Sequence, residues 1–292
     1  MDQIDGMGKA LDFIEANLKR EICVADIAAA VGYSLYHFCR TFNAIVQHTP
    51  YDYLMCRRLS EAARELLVTD RKMIDLAIDY QFNNPETFSR AFKRMFGTQP
   101  SQWKQDSRLD PHALLPPLTR AHLQAWGEFN PQLVEKPALQ LVGLVTRIGL
   151  EPRVGGAVLP DLSAVAGLWQ TLAAELDSLQ VAPQPGALYG LLSYPADWAR
   201  QGAFYLAALE IETRRDLPAS FVFRDLPASQ YVRFKHPGSP THLDLTWDYI
   251  YATWLPKSEF EQAQPAELHY LGQDITRLLA GTGELDLLIP LK

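Results

Sequence analysis

Few residues in this chain are spaced for bond-making chemistry. No GxSxG elbow, Walker loop, HExxH pair or complete GxGxxG occurs, and the seven histidines, among them His236, His242 and His269, show no metal-ligand spacing. Cys23, Cys39 and Cys56 form no CxxC pair. That argues against a zinc knuckle and a disulfide framework, and makes them small buried hydrophobes in a reducing compartment. What the sequence does contain is two segments with the grammar of a helix-turn-helix. In the first, VADIAAAV makes a short scaffold helix, Gly32 supplies the permissive turn and SLYHFCRTFNAIV is the second helix. In the second, MIDLAIDY is the scaffold and NPETFSRAFKRMF its partner. The motif needs small residues where the helices cross, which Ala28, Ala29 and Ala77 supply, and it leaves one face of the second helix free to enter a groove of duplex DNA.

The elements that must hold these segments read as consecutive helices over residues 7–104. Met7, Ala10, Leu11, Ile14 and Leu18 make one apolar stripe, and Leu59, Ala62, Ala63, Leu66 and Leu67 another. Breaks fall at Gly32-Tyr33-Ser34, His48-Thr49-Pro50, Asn83-Asn84-Pro85 and Gly97-Thr98-Gln99-Pro100, with Ser34 and Asn84 placed to cap the helices that follow. The period then degrades, and prolines 111, 116, 117 and 131 disfavour a continuous helix, which predicts a proline-rich linker over 107–130 between domains at 1–106 and 131–292. Beyond it, strands alternate with helices: LQLVGLVTRIG, the helix SAVAGLWQTLAAEL, then GALYGLLSY and GAFYLAALEIE. A second pass repeats this order. Pro137-Ala138 and Pro227-Ala228 each precede a strand, each strand leads to a Trp-bearing helix, and strand material follows, ending in AELHYL and ELDLLIPL. The expected fold is therefore multidomain: an all-α domain with two helix-turn-helix motifs, then an α+β domain built from a duplicated strand-helix-strand-strand unit. Ordinary α+β alternation without duplication is the plainer alternative.

The 292 residues are 48% hydrophobic and 21% charged, which excludes disordered and low-complexity classes. The formal charge of −7 is the wrong sign for a protein coated in basic residues, but it is unevenly spread. Residues 1–108 hold 14 basic and 14 acidic side chains, and residues 109–292 hold 13 and 20. A neutral reader implies affinity from local Arg and Lys placement and a moderate salt slope. No stretch of about 18 apolar residues is present, and the acidic start MDQIDGMGKALDF differs from a secretion signal, so a cytoplasmic protein with no membrane partner is expected.

LYHFCRTF, then Arg58-Leu59 with Ala62 and Leu66-Leu67, then TFSRAFKRMFGTQPSQW resembles the DNA-binding domain of the AraC/XylS transcription regulators over about residues 8–104. The resemblance places Tyr36, His37, Cys39 and Arg40 on the exposed face of the first reading helix, and Pro85, Glu86, Thr87, Arg90 and Arg94 on the second. Arg40 and Arg90 then donate to guanine edges, Glu86 accepts from cytosine, and Thr87 uses its hydroxyl or its methyl. Arg57, Lys93 and Lys104 are expected as phosphate clamps. Two positions depart from the family: Gln81 stands where it usually has Gly, and Cys39 where a polar side chain is expected. Two readers in one chain reach successive major grooves, roughly 34 Å apart, without dimerisation.

LPASQYVRFKHPGSPTHLDLTWDYIYATWLPKSEF resembles the GyrI-like, multidrug-binding effector domain, and the resemblance extends over about residues 131–292. It implies a cleft for a hydrophobic or cationic aromatic molecule, walled by aromatic faces beside a carboxylate. Candidate ligand residues are Trp169, Tyr189, Tyr194, Trp198, Tyr205, Trp247 and Tyr270, with Glu210 or Glu267 as the acid. In an unbroken strand Glu267 points away from the face shared by Leu268 and Tyr270, so either a bulge restores it or the cleft lacks that charge. The combined expectation is a transcription regulator without a cofactor. Its partners are double-stranded DNA, a hydrophobic effector and RNA polymerase. The alternatives are a hydrolase using Glu267 or Glu210 as a general base, and a protein that sequesters a partner.

Overall fold

A computed structural model describes residues 2–103, 114–152, 158–178, 187–195, 198–214, 216–236, 243–281, 283 and 285–292. Lys104, Pro111, Pro237, Gly238 and His242 lie outside them. The chain forms two compact units. One comprises residues 1–128 with 152–159 and 247–257, and the other 129–151, 160–246 and 258–292.

Among the described residues, the first unit begins with eight helices: α1 (Gln3–Ala16), α2 (Val24–Ala30), α3 (Leu35–Val46), α4 (Pro50–Val68), α5 (Met73–Asp79), α6 (Pro85–Phe96), α7 (Pro100–Trp103) and α8 (Arg120–Trp126). Met7, Ala10, Leu11, Ile14 and Leu18 are all buried, as their period requires; on α4, Leu59, Ala62, Ala63 and Leu66 are buried while Leu67 is exposed. Thr49 caps α4 by accepting from Asp52 N at 3.1 Å, with Pro50 in the first turn, where its missing N–H costs nothing. Asn84 caps α6 in the same way through Thr87 N at 2.7 Å, whereas Ser34 occupies the cap of α3 without a side-chain bond. The cysteines correct the expectation of burial: Cys23 is exposed, and Cys39 and Cys56 are only partly covered. Cys23 instead opens α2, its backbone N–H donating to Asp26 Oδ2 at 2.7 Å.

Of the expected linker, residues 114–130 are described: 114–128 are packed into the first unit, with Leu114, Leu115, Leu118, Leu123 and Trp126 buried, and 129–130 belong to the second. Leu115 N donates to Ser60 Oγ at 3.0 Å and Leu118 N to Tyr53 Oη at 3.0 Å, so the proline-containing strap is stitched along α4. Residues 247–257 belong to this unit as well. Asp248 Oδ2 lies 3.0 Å from His122 Nε2, Thr253 Oγ1 lies 3.1 Å from His48 Nε2, and Lys257 Nζ donates to the Gln47 carbonyl. The backbone N–H of Thr119 donates to His122 Nδ1 at 3.0 Å, which puts the ring proton on Nε2, facing Asp248.

The second unit is built on an eight-stranded sheet. Its strands are β1 (Gln132–Lys136), β2 (Leu139–Ile148), β5 (Leu188–Ser193), β6 (Ala203–Glu210), β7 (Val222–Leu226), β8 (Ser229–Lys235), β9 (Ala266–Tyr270) and β10 (Asp286–Pro290); β3 (Leu150–Pro152) and β4 (Val158–Pro160) are short strands outside it. The described helices that follow α8 in the chain are α9 (Ser163–Ser178), α10 (Trp198–Gln201), α11 (Leu243–Tyr249), which runs on as a π-turn over Ile250–Trp254 and whose residues from Trp247 onward belong to the first unit, and α12 (Ile275–Leu279). The order β1-β8-β10-β9-β5-β6-β2-β7 is antiparallel throughout and palindromic. β2-α9-β5-β6 and β8-α11-β9-β10 are the two repeats, and the strand preceding each repeat pairs with the other one. This exchange is the structural form of the duplicated unit. Leu139, Leu226, Tyr231 and Val134 from the outer strands meet Leu191 and Leu268 from the central ones in a single cluster, so the sheet curls over that face. None of the described helices is long and apolar enough to cross a membrane.

Candidate nucleic-acid interface and ligand site

The inner faces of the two reading helices are set by aromatic residues four apart. On α3, Phe38 and Phe42 are fully buried, 5.4 Å between ring centroids. On α6, Phe88, Phe92 and Phe96 form the same ladder, closed by Trp103 at 5.3 Å from Phe92. A helix held by an i, i+4 stripe must turn its remaining residues outward. Tyr36 is 79% exposed, and His37 and Arg40 are exposed beside it; on α6, Glu86, Arg90, Lys93 and Arg94 are exposed, and Pro85 and Thr87 are partly so. His37 stacks edge-on against Tyr33, and its Nδ1 lies 3.1 Å from Thr41 Oγ1, which orders this ring at the helix start. At the crossings Ala28 and Ala77 are buried, but Ala29 faces outward.

The two turns are built alike from different residues. Gly32 has φ +74° and Gln81 φ +65°, so Gln81 adopts the left-handed conformation that the family gives to glycine. Its side chain offsets the strain, since Nε2 donates to the Lys19 carbonyl at 2.8 Å. Between the motifs, α4 packs on α3, α5, α6 and α7. At 1.5 Å per residue its length is about 28 Å, close to one turn of duplex.

Arg57 is not available to phosphate. It is 1% exposed, with Nε and Nη2 on the two oxygens of Glu15 at 2.8 Å each, Nη2 also on Glu61 at 2.9 Å, and Nη1 on the Leu115 carbonyl. These carboxylates hold the guanidinium firmly charged despite its burial, and burial with the Glu15 charge pushes the neighbouring Tyr53 phenol up. No local sequence signal separates this arginine from a surface one, because Glu15 and the Leu115 carbonyl, which hold three of its four bonds, come from α1 and the strap.

In the sheet unit, strand alternation divides the proposed ligand residues between two faces. The register of β9 against β5 is continuous, with Tyr270 opposite Tyr189, Leu268 opposite Leu191 and Glu267 opposite Leu192. No bulge intervenes, so Glu267 lies on the face away from Tyr270. There Glu267, His269, Tyr205 and Trp169 are all buried; Tyr205 bonds to Trp169, and its ring lies 5.7 Å from that of His269. Gly190 is essential to this packing, because a Cβ there would fall 1.9 Å from Tyr205 Oη.

The other face gathers Tyr189, Tyr270 and Glu210. The two tyrosine rings are 5.7 Å apart and tilted by 58°. Burial, then the charge of Glu210, raises the Tyr189 phenol, so it stays protonated. Lys136, which sequence reasoning missed, reaches over both rings. Glu210, Tyr270 and Lys136 are only partly buried, so polar groups and aromatic faces here are reachable from solvent. Tyr194 and Trp198 pack on each other at 6.4 Å past the end of β5, and Trp247, on α11, is buried.

Two outward-facing, arginine-bearing second helices on one rod, followed by a duplicated sheet module, define a helix-turn-helix regulator with an attached small-molecule domain. Residues 27–106 match the helix-turn-helix domain family and residues 129–292 match the GyrI-like small molecule binding domain family. The chain belongs to the GyrI-like family and is a DNA-binding, AraC-type transcription regulator. It is similar to the transcriptional regulator Rob of Salmonella typhimurium, 27% identical over 94% of this chain and 93% of that protein. The right origin-binding protein of Escherichia coli K12 is 26% identical over the same shares. The transcriptional activator AarP of Providencia stuartii is 37% identical over 34% of this chain and 73% of its own.

Proposed function

We propose that α3 and α6 read two successive major grooves of one operator. Tyr36, His37 and Arg40 serve the first groove, and Glu86, Thr87, Arg90, Lys93 and Arg94 the second. The observation that supports this best is that α3 buries Phe38 and Phe42, α6 buries Phe88 and Phe92, and both expose arginines on the opposite face. The sheet unit takes a hydrophobic small molecule against Tyr189 and Tyr270, and its capture alters promoter occupancy or recruitment of RNA polymerase. The protein acts as a cytoplasmic regulator without catalysis. Coupling between effector and operator is reciprocal, so an effector that tightens operator binding is itself bound more tightly on the operator complex by the same factor. Arg90→Ala tests the reader: it weakens binding to the preferred site far more than to random duplex. Equal losses on both would reduce Arg90 to a phosphate contact.

A further inference from the structure

Granting that the Tyr189–Tyr270 face is the ligand site, its own lysine specifies the ligand. Lys136 ends β1, and its Nζ lies 5.4 Å from the Tyr270 ring centroid, 5.8 Å from that of Tyr189 and 3.4 Å from Tyr189 Oη. That phenol is its sole hydrogen-bond partner among the described residues, and no carboxylate of theirs pairs with it. Arg57 and Arg233, by contrast, each lie on a carboxylate, the latter on Asp286 at 2.7 Å. An ammonium has three N–H donors, and the phenol takes one. The π-faces that an organic cation would seek already look at a positive charge, so a second cation there meets like-charge repulsion. An anionic oxygen meets unspent donors.

A second polar anchor stands on the same face. Asp286 is opposite Tyr270 in the β10–β9 register and is 1% exposed; its Oδ2 is held by Arg233, while its Oδ1 is buried with no hydrogen-bond partner. A buried acceptor left open is costly unless a donor arrives. A ligand hydroxyl or amine beside Tyr270 is such a donor. Glu210 adds negative charge near Tyr189 but does not pair with Lys136. We propose that this site selects an aromatic acid bearing a hydrogen-bond donor, its acidic group on Lys136, its ring on the tyrosine pair and its donor on Asp286, and that Lys136 disfavours organic cations.

Three probes differing in charge test this on the full-length protein by titration calorimetry: 6-hydroxy-2-naphthoate, its neutral methyl ester and tetraphenylphosphonium. The acid is expected to bind at least tenfold more tightly than the ester. Lys136→Met should remove that preference and improve tetraphenylphosphonium binding, while Lys136→Arg retains the preference. A circular-dichroism melt confirms that each variant is folded. An ester that binds as well as the acid, or acid affinity unchanged in Lys136→Met, overturns the assignment to Lys136 and leaves the site standing, provided that Tyr270→Ala weakens every probe that binds. Absence of binding by all three probes, or binding indifferent to Tyr270→Ala, overturns the site itself and the inference with it.

Discussion

Arg57→Met removes a guanidinium that is 1% exposed and leaves its partners to fend for themselves. Glu15 loses two bonds of 2.8 Å, but its side chain is 23% exposed and regains water. Glu61 loses one bond of 2.9 Å and keeps Arg64 at 2.8 Å. The Leu115 carbonyl, in the strap along α4, loses its charged donor. Removing one partner of a buried pair costs about 3–5 kcal/mol, and the residual solvation of Glu15 puts this case near the lower end, about 3 kcal/mol. For a unit of this size that corresponds to a melting point lower by roughly 6–12 °C. Circular-dichroism melts measure it, together with operator binding well below the transition, where affinity should be unchanged. A phosphate contact gives the reverse pattern. Stability within about 0.5 kcal/mol of the parent alongside weakened, salt-sensitive DNA binding would refute the structural role.

Other consequences follow from single contacts. Burial first, then the charge of Lys257, lowers the His48 pKa from 6.5 to about 3. The folded state thus holds this ring neutral, and its contribution is fully present above about pH 6.5 and lost progressively as pH falls toward 3. At about 1.4 kcal/mol per pH unit, His48→Gln should lose roughly 2 kcal/mol less than the parent between pH 6.5 and 5, read from urea unfolding at each pH; parallel profiles would contradict it. Gly190→Ala forces Tyr205 off β5 and should destabilise the sheet unit by about 1–3 kcal/mol in the same assay, with no effect if the ring shifts freely. Asp248→Ala deprives His122 Nε2 of its acceptor at 3.0 Å, and should lower stability by about 1–3 kcal/mol; an unchanged melt would mean that water replaces it.

How much of this was legible in the sequence follows from the range of the forces involved. The reading helices were legible because their periodic Phe ladders and their caps are local. Period-2 alternation likewise placed Glu267 away from Tyr270, and repeated Pro-Ala dipeptides marked the two halves of a palindromic sheet. Arg57 was misread because its carboxylates lie 42 residues before and four after it, and only folding brings them to one point. The packing of residues 114–118 was not legible for a related reason: prolines break a helix, but they do not prevent Leu114, Leu115 and Leu118 from packing against α4. Lys136 meets Tyr189 across 53 residues of chain, a contact that follows from curling of the sheet and from no local pattern.

The central claim is that α3 and α6 each read their own groove. Selection of bound duplexes from a randomised pool by the full-length protein tests it most directly. The expected result is two enriched sequence blocks centred one helical turn, about 10 base pairs, apart, with Arg40→Ala relaxing one block and Arg90→Ala the other. A single enriched block, no enrichment, or relaxation of the same block by both substitutions would contradict it.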